Sequence, residues 1–216
     1  MTDRPPADRP PAAPIRLLVA TTNRDKLREI RGILADAPVE LLTLNDVPPV
    51  EPPEETGRSF EENARQKATY YARTTGLPTV AEDSGLEIDA LDGRPGVESA
   101  RFGGAGATYP QKFALLYDGL RQRGLTTSTA RFVCAVVCAE GDRVVIETRG
   151  VVEGRIAPAP SGAHGFGYDP IFFYPPYGRT LAEVTEAEKT AVSHRGQAFR
   201  DFGRRLKGLT GRLSPR

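Results

Sequence analysis

The sequence predicts an α/β fold built on a mixed β-sheet, and three observations carry that prediction. In the first half of the chain, apolar runs of strand length alternate with segments whose apolar residues recur at helical spacing. The run Arg131 to Ala139 is apolar on both faces, with Phe132, Cys134 and Val136 set against Val133, Ala135 and Val137, as a strand in the middle of a sheet requires. Gly141-Asp142 then has the form of a hairpin turn into Arg143 to Val152, which makes at least one strand pair antiparallel.

The elements follow in order. Residues 1–14 hold five of the 19 prolines and read as a disordered extension, so one domain is expected over 15–213. Ile15 to Ala20 reads as a buried strand, followed by a helix with Leu27, Ile30 and Leu34 on one face and Thr22 and Asp25 at capping-box spacing. A short strand is expected near Val39 to Leu44, and a proline-rich loop from Val47 to Pro53. Ser59 and Glu62 open a helix reaching about Thr74, with Phe60, Ala64, Ala68 and Tyr71 inward. Thr79 to Ala81 and Leu86 to Ile88 read as short strands flanking a turn at Asp83-Ser84-Gly85. Pro110 opens a helix to about Leu120. After the hairpin comes a Gly/Pro-rich stretch from Gly154 to Tyr177, and Ser193 caps a last helix with Phe199, Phe202 and Leu206 inward.

Bulk properties narrow the function. A chain of 216 residues, 39% hydrophobic and 26% charged, is ordinary for a soluble globular domain. A net charge of +1 argues against a nucleic-acid partner, because it offers no broad cationic surface for a phosphate backbone. No apolar run approaches the roughly 20 residues that span a bilayer, so no membrane partner is expected. Cys134 and Cys138 would stand about 13 Å apart on one strand, at about 3.3 Å per residue, too far for a disulfide. They read as small buried apolar residues, and the cytoplasm is the expected compartment.

Four segments carry candidate chemistry. Thr21-Thr22-Asn23-Arg24-Asp25-Lys26 spans a strand end and a helix start, where free N–H groups and the positive dipole end suit an anion. Lys26 opposes that dipole unless an anion sits there. Glu54-Glu55 and Glu82-Asp83-Ser84 place carboxylates where a phosphate ligand would need a divalent cation between, magnesium being the usual one. Gly162-Ala163-His164-Gly165-Phe166-Gly167-Tyr168-Asp169-Pro170 combines glycines that allow close backbone approach with Phe166 and Tyr168 as faces for a flat base. Lys189 to Arg195 brings Lys189, His194 and Arg195 to the start of the last helix. Taken singly, each segment equally fits a capped surface helix, a solvated acidic loop or a glycine-rich turn. No GxxxxGK loop, HExxH motif or Gly-x-Ser-x-Gly elbow is present, so metal-assisted attack by water fits better than a covalent nucleophile.

Taken together, the runs ATTNRDKLREI, EETGRSFEENARQKA, AEDSGLEIDALDGRPGVESARFGG, GFGYDPIFF and EKTAVSHRGQAF resemble the inosine triphosphate pyrophosphatase family, over about Leu17 to Leu206. The resemblance implies an elongated α/β fold with two lobes around a nucleotide cleft, in a homodimer. It implies hydrolysis of deaminated purine nucleoside triphosphates (ITP, dITP, XTP) to the monophosphate and pyrophosphate, with Mg2+. On that resemblance Thr21, Asn23 and Lys26, among the run Thr21 to Lys26, hold the triphosphate with Lys67. Glu55 and Asp83 coordinate magnesium, and Asp83 also activates water. Ser84 touches the nucleotide. Phe166 stacks on the purine with Gly167, Tyr168 and Asp169 beside it, and Lys189, His194 and Arg195 face the base and sugar. Where relatives often carry Asp-Asp, this chain has Glu82-Asp83, so the role of Glu82 stays open. A pyrophosphatase for modified pyrimidine nucleotides and a nucleotide sensor without turnover are the rival readings.

Overall fold

The computed structural model describes residues 14–209. The proline-rich extension up to Ala13, and the domain's expected end at 213, lie outside the described residues. Among those residues, one seven-stranded sheet runs in the order β2-β1-β3-β4-β5-β6-β7, formed by β1 (Ile15–Val19), β2 (Val39–Thr43), β3 (Thr79–Ile88), β4 (Thr129–Glu140), β5 (Arg143–Ile156), β6 (Phe172–Tyr174) and β7 (Arg179–Thr180). Strand β1 pairs in parallel with β2 and β3, and every later pairing is antiparallel. The sheet is therefore mixed, with β4 at its centre.

The helices are α1 (Arg24–Ile33), α2 (Phe60–Thr75), α3 (Tyr109–Arg121), α4 (Glu186–Val192) and α5 (His194–Leu209). Alternation along β4 distributes the core, since successive side chains leave opposite faces. Cys134, Val136 and Cys138 join Ile30, Leu34, Phe199, Phe202 and Leu206 under α1 and α5. Val133, Ala135, Val137 and Ala139 join Phe60, Ala64, Ala68 and Tyr71 under α2. A third cluster at the far end of the long strands packs Leu86, Ile88, Phe132 and Val152 against Phe113, Leu116 and Leu120 of α3. Both cysteines are buried and free.

Two expectations need correction. Asp83-Ser84-Gly85 is not a turn: β3 runs unbroken through it, with Glu82, Asp83, Ser84 and Gly85 opposite Val136, Ala135, Cys134 and Val133. Local propensity favours a turn for such residues, but ladder pairing and countercharges from three helices outweigh it. The helix before the Ser193 cap was also absent from the sequence reading. Helix α4 opens with a capping box between Thr185 and Glu188, which a seven-residue helix with little apolar periodicity leaves hard to see.

One glycine sets the distance between sheet and site. A Cβ on Gly150 of β5 would overlap the His194 carbonyl and the Ala198 amide. Its absence lets α5 lie directly on the sheet and brings His194 and Arg195 over β3 and β4.

Candidate active site

The site begins where β1 stops. Strand β1 pairs with β3 only through Leu18↔Thr79 and Val19↔Val80, so β3 continues beyond it with that edge open. The chain leaving β1 folds over this gap into α1, the place at the carboxyl ends of parallel strands where α/β sheets take their ligands. Asn23 caps the helix, its Oδ1 accepting from the Asp25 and Lys26 amides at 2.9 and 3.0 Å. Thr21 Oγ1 accepts from the Asn23 amide at 3.2 Å. The expected Thr22–Asp25 capping box is thus replaced by an Asn23 cap, and Thr22 and Arg24 are exposed. Lys26 answers the helix dipole without a ligand, its ammonium lying 3.3 Å from Glu82 Oε1.

The period of two along β3 separates the neighbouring acids. Glu82 faces α1 and α5, and Asp83 faces α2. On the α2 side, Asn63 donates to Asp83 Oδ2 at 3.0 Å while its own Oδ1 accepts from the Gly57 amide at 2.8 Å. Lys67 stands between the carboxylates, 2.7 Å from Glu55 and 3.6 Å from Asp83. Burial raises the pKa of Asp83, and Lys67 and Asn63 offset that only in part. Burial also disfavours the Lys67 cation, but Asp83 and Glu55 outweigh it and raise its pKa. Arg101, half exposed, reaches within 3.9 Å of Glu55.

On the other face lies a buried charge network. Arg195 donates to Glu82 at 3.0 and 3.4 Å, to Glu29 at 2.7 Å and to Ser84 Oγ at 3.0 Å. Lys189 joins Glu29 at 2.9 Å and Asp169 at 2.6 Å. Burial opposes ionisation of Glu82 and Glu29; Arg195, helped by Lys26 at the first and by Lys189 at the second, outweighs it and holds both pKa values down, Glu82 well below the usual range. Burial raises Asp169, and Lys189 offsets part of that. Lys189 and Arg195 are therefore anchored inside the protein, with most of the Arg195 donors already engaged.

A narrow cavity of about 60 Å³ opens beside this network, lined by Lys26, Ser84, Tyr109, Phe166, Gly167, Asp169, His194 and Arg195 among others. The loop that carries Phe166 is shaped by Gly165 and Gly167, both at φ 71°, and is pinned by the Phe166 amide donating to Asp169 Oδ2 at 2.8 Å. Lys189 Nζ lies 4.4 Å from the centroid of the Phe166 ring. Tyr168 also lines the cavity but is largely covered, buried and with its hydroxyl donating to the Ser99 carbonyl at 2.8 Å. His194 stacks on Phe132 at 4.8 Å, and among the described residues its Nδ1 has no hydrogen-bond partner. Burial, then Arg195, pushes its pKa well down, so the ring is neutral.

The structure thus brings Lys26, Ser84, the Phe166 loop, His194 and Arg195 to one cavity, and joins Glu55, Lys67 and Asp83 in a cluster on the other face of β3. Sequence reasoning missed Asn63, Glu29, Arg101 and Tyr109. Glu29 stands three residues after Lys26 and Asn63 four residues before Lys67, both spacings that put side chains on one helix face. Nothing local marks Tyr109.

The model of the Ham1 family matches residues 17–205. A dITP/XTP pyrophosphatase of Exiguobacterium sp. is 46% identical over 186 residues, 86% of this chain and 94% of that protein. One from Geobacter sulfurreducens is 47% identical over 185 residues, 85% of this chain and 92% of that protein. Among solved structures, a HAM1 protein from Coxiella burnetii has a TM-score of 0.82 at 39% identity, covering 90% of this chain and 99% of that one. A nucleoside-triphosphatase, or dITP/XTP pyrophosphatase, from Mycobacterium abscessus has a TM-score of 0.69 at 43% identity, covering 87% and 98%. With residues 17–205 matched by the family model and the relatives covered almost end to end, this protein belongs to the Ham1 family.

Proposed function

We propose that this chain hydrolyses deaminated purine nucleoside triphosphates, ITP, dITP and XTP, to the monophosphate and pyrophosphate. One observation supports the reading: Lys26 at a capped helix start lines the same cavity as Phe166 and His194, and the Glu55–Lys67–Asp83 cluster meets β3 at Asp83, next in sequence to the Glu82 that pairs with Lys26. The names of the relatives support it. A homodimer is part of the proposal on the family resemblance alone, and a cytoplasmic location is the expectation from the two unpaired thiols.

Glu55 and Asp83 suit magnesium. They are hard carboxylate donors, and this ion takes one or two of them and completes its shell with phosphate oxygens and water. Among the described residues no group of three or more His, Cys, Asp or Glu is arranged for a metal, so the protein's share of such a site is this pair. Bound there, magnesium would neutralise phosphate charge and polarise the phosphorus–oxygen bonds.

The chain's own residues supply the rest. Asp83, made more basic by burial and held by Asn63, accepts the proton of the attacking water. Lys67 and Lys26 face the leaving pyrophosphate and stabilise the charge that develops on it. Attack at the α-phosphorus then releases the monophosphate. The cavity beside Phe166 takes the base, where the neutral His194 ring offers a polar edge.

The test is pyrophosphate release from ITP with magnesium and with excess chelator. Metal-dependent pyrophosphate, with no stepwise orthophosphate, is expected. Full turnover in chelator would remove the metal from the proposal, and binding of ITP without turnover would leave a sensor.

A further inference from the structure

We infer that Tyr109 is a further substrate-contacting residue, whose phenol ring forms the outer wall of the cavity and packs on the bound nucleoside. This rests on the pyrophosphatase reading, because it needs a nucleoside in the cavity that Tyr109 and the Phe166 loop both border.

Tyr109 is the first residue of α3, fixed there by the capping box of Thr108 and Gln111. Its ring stands edge-on to Tyr168 at 5.3 Å and 89°, and tilted against Phe113 at 6.2 Å. Lys112 Nζ lies 4.9 Å from its centroid and is itself held by the Ala100 carbonyl at 2.6 Å. The ring is therefore positioned on several sides, yet the residue is 39% exposed while bordering the cavity.

The ring reaches the wall of the cavity. A Cβ placed on Gly167 would lie 3.6 Å from the Tyr109 hydroxyl oxygen, so the phenol stands against the Phe166–Gly167 loop. Burial, then the carboxylates of Asp169 and Asp25, raises the pKa of the phenol, which therefore stays protonated. An aromatic ring held in place but left partly uncovered loses little freedom on binding and gains apolar contact. Of the described residues around the cleft, Tyr109 alone brings an aromatic side chain from α3 to it.

The experiment titrates wild type, Tyr109→Ala and Tyr109→Phe with inosine monophosphate and with inorganic pyrophosphate, beside ITP kinetics and thermal melts. Tyr109→Ala should weaken inosine monophosphate and raise KM for ITP by about 10-fold, the scale of one base–aromatic contact. Its kcat and its affinity for pyrophosphate should stay within about threefold, as for a contact made equally in ground and transition states. Tyr109→Phe, which keeps the ring, should stay near wild type. Wild-type affinity for inosine monophosphate in Tyr109→Ala would overturn the inference. So would an equal loss for pyrophosphate, which would mark a structural role. If Tyr109→Ala melts early, Tyr109→Leu fills the space against Phe113 without a flat face and faces the same criteria. Wild type that neither binds inosine monophosphate nor cleaves ITP would overturn the activity itself, an outcome read before any variant is compared.

Discussion

Arg195 grips both oxygens of Glu82, with Nε at 3.0 Å and the second guanidinium nitrogen at 3.4 Å, and both residues are buried. The pair lies 113 positions apart in sequence and ties α5 to the centre of β3. Removing one partner leaves a charge buried without its mate, which costs about 3–5 kcal/mol. Glu82→Ala should lower stability by that amount in urea unfolding. A loss below about 1 kcal/mol would mean that Glu29 and water satisfy Arg195 without Glu82.

Asp83→Asn should lower kcat by at least about 10²-fold, the scale of general-base catalysis. The fold should survive, although not for the reason that local sequence suggests. Asp83 lies inside a strand, and an asparagine there keeps an acceptor for the Asn63 amide while removing a carboxylate whose ionisation burial opposes. Near wild-type turnover would assign the proton transfer elsewhere.

Base choice should run through His194. Arg195 spends its donors on Glu82, Glu29 and Ser84, whereas His194 lines the cavity and its buried Nδ1 has no partner among the described residues. A purine with oxygen at C6 presents an acceptor there, and adenine presents an amino donor. His194→Phe keeps the ring on Phe132 and removes the polar edge. It should lower kcat/KM for ITP by about 10-fold and for ATP by less, shrinking their ratio. An unchanged ratio would exclude His194 as the reader of that position.

Stability should fall on acidification in two steps. His194 is held neutral, so below its unfolded value of 6.5 the unfolded chain gains a proton that the folded chain refuses, and stability drops. Glu29 and Glu82 have lowered values, so their contribution is present above 4.5 and is lost as pH falls below it. Asp83 and Asp169 have raised values and act in the opposite sense, softening the second step. Unfolding midpoints from pH 8 to pH 4 would show this, and His194→Phe should abolish the upper step while leaving the lower. A flat profile between pH 7 and 5 in wild type would contradict the neutral buried imidazole.

The sequence by itself determined the α/β class, the central strand β4 and its hairpin, and helices α1, α2, α3 and α5. These signals are local: apolar period, capping residues and turn residues act within a few positions of one another. It also singled out the candidate segments, because glycines, carboxylates and cations at strand ends keep their chemical meaning whatever surrounds them. Only the tertiary structure decided the rest. Whether Glu82 to Gly85 turns or extends depends on β4 and on countercharges from α1, α2 and α5, none of them near in sequence. Which acid faces Lys67 and which faces Arg195 follows from strand alternation, and that becomes legible only once the strand is known to be continuous. The anchoring of Lys189 and Arg195 on Glu29, and the approach of Tyr109 to the Phe166 loop, join residues whose distance is set by packing, which no local pattern encodes.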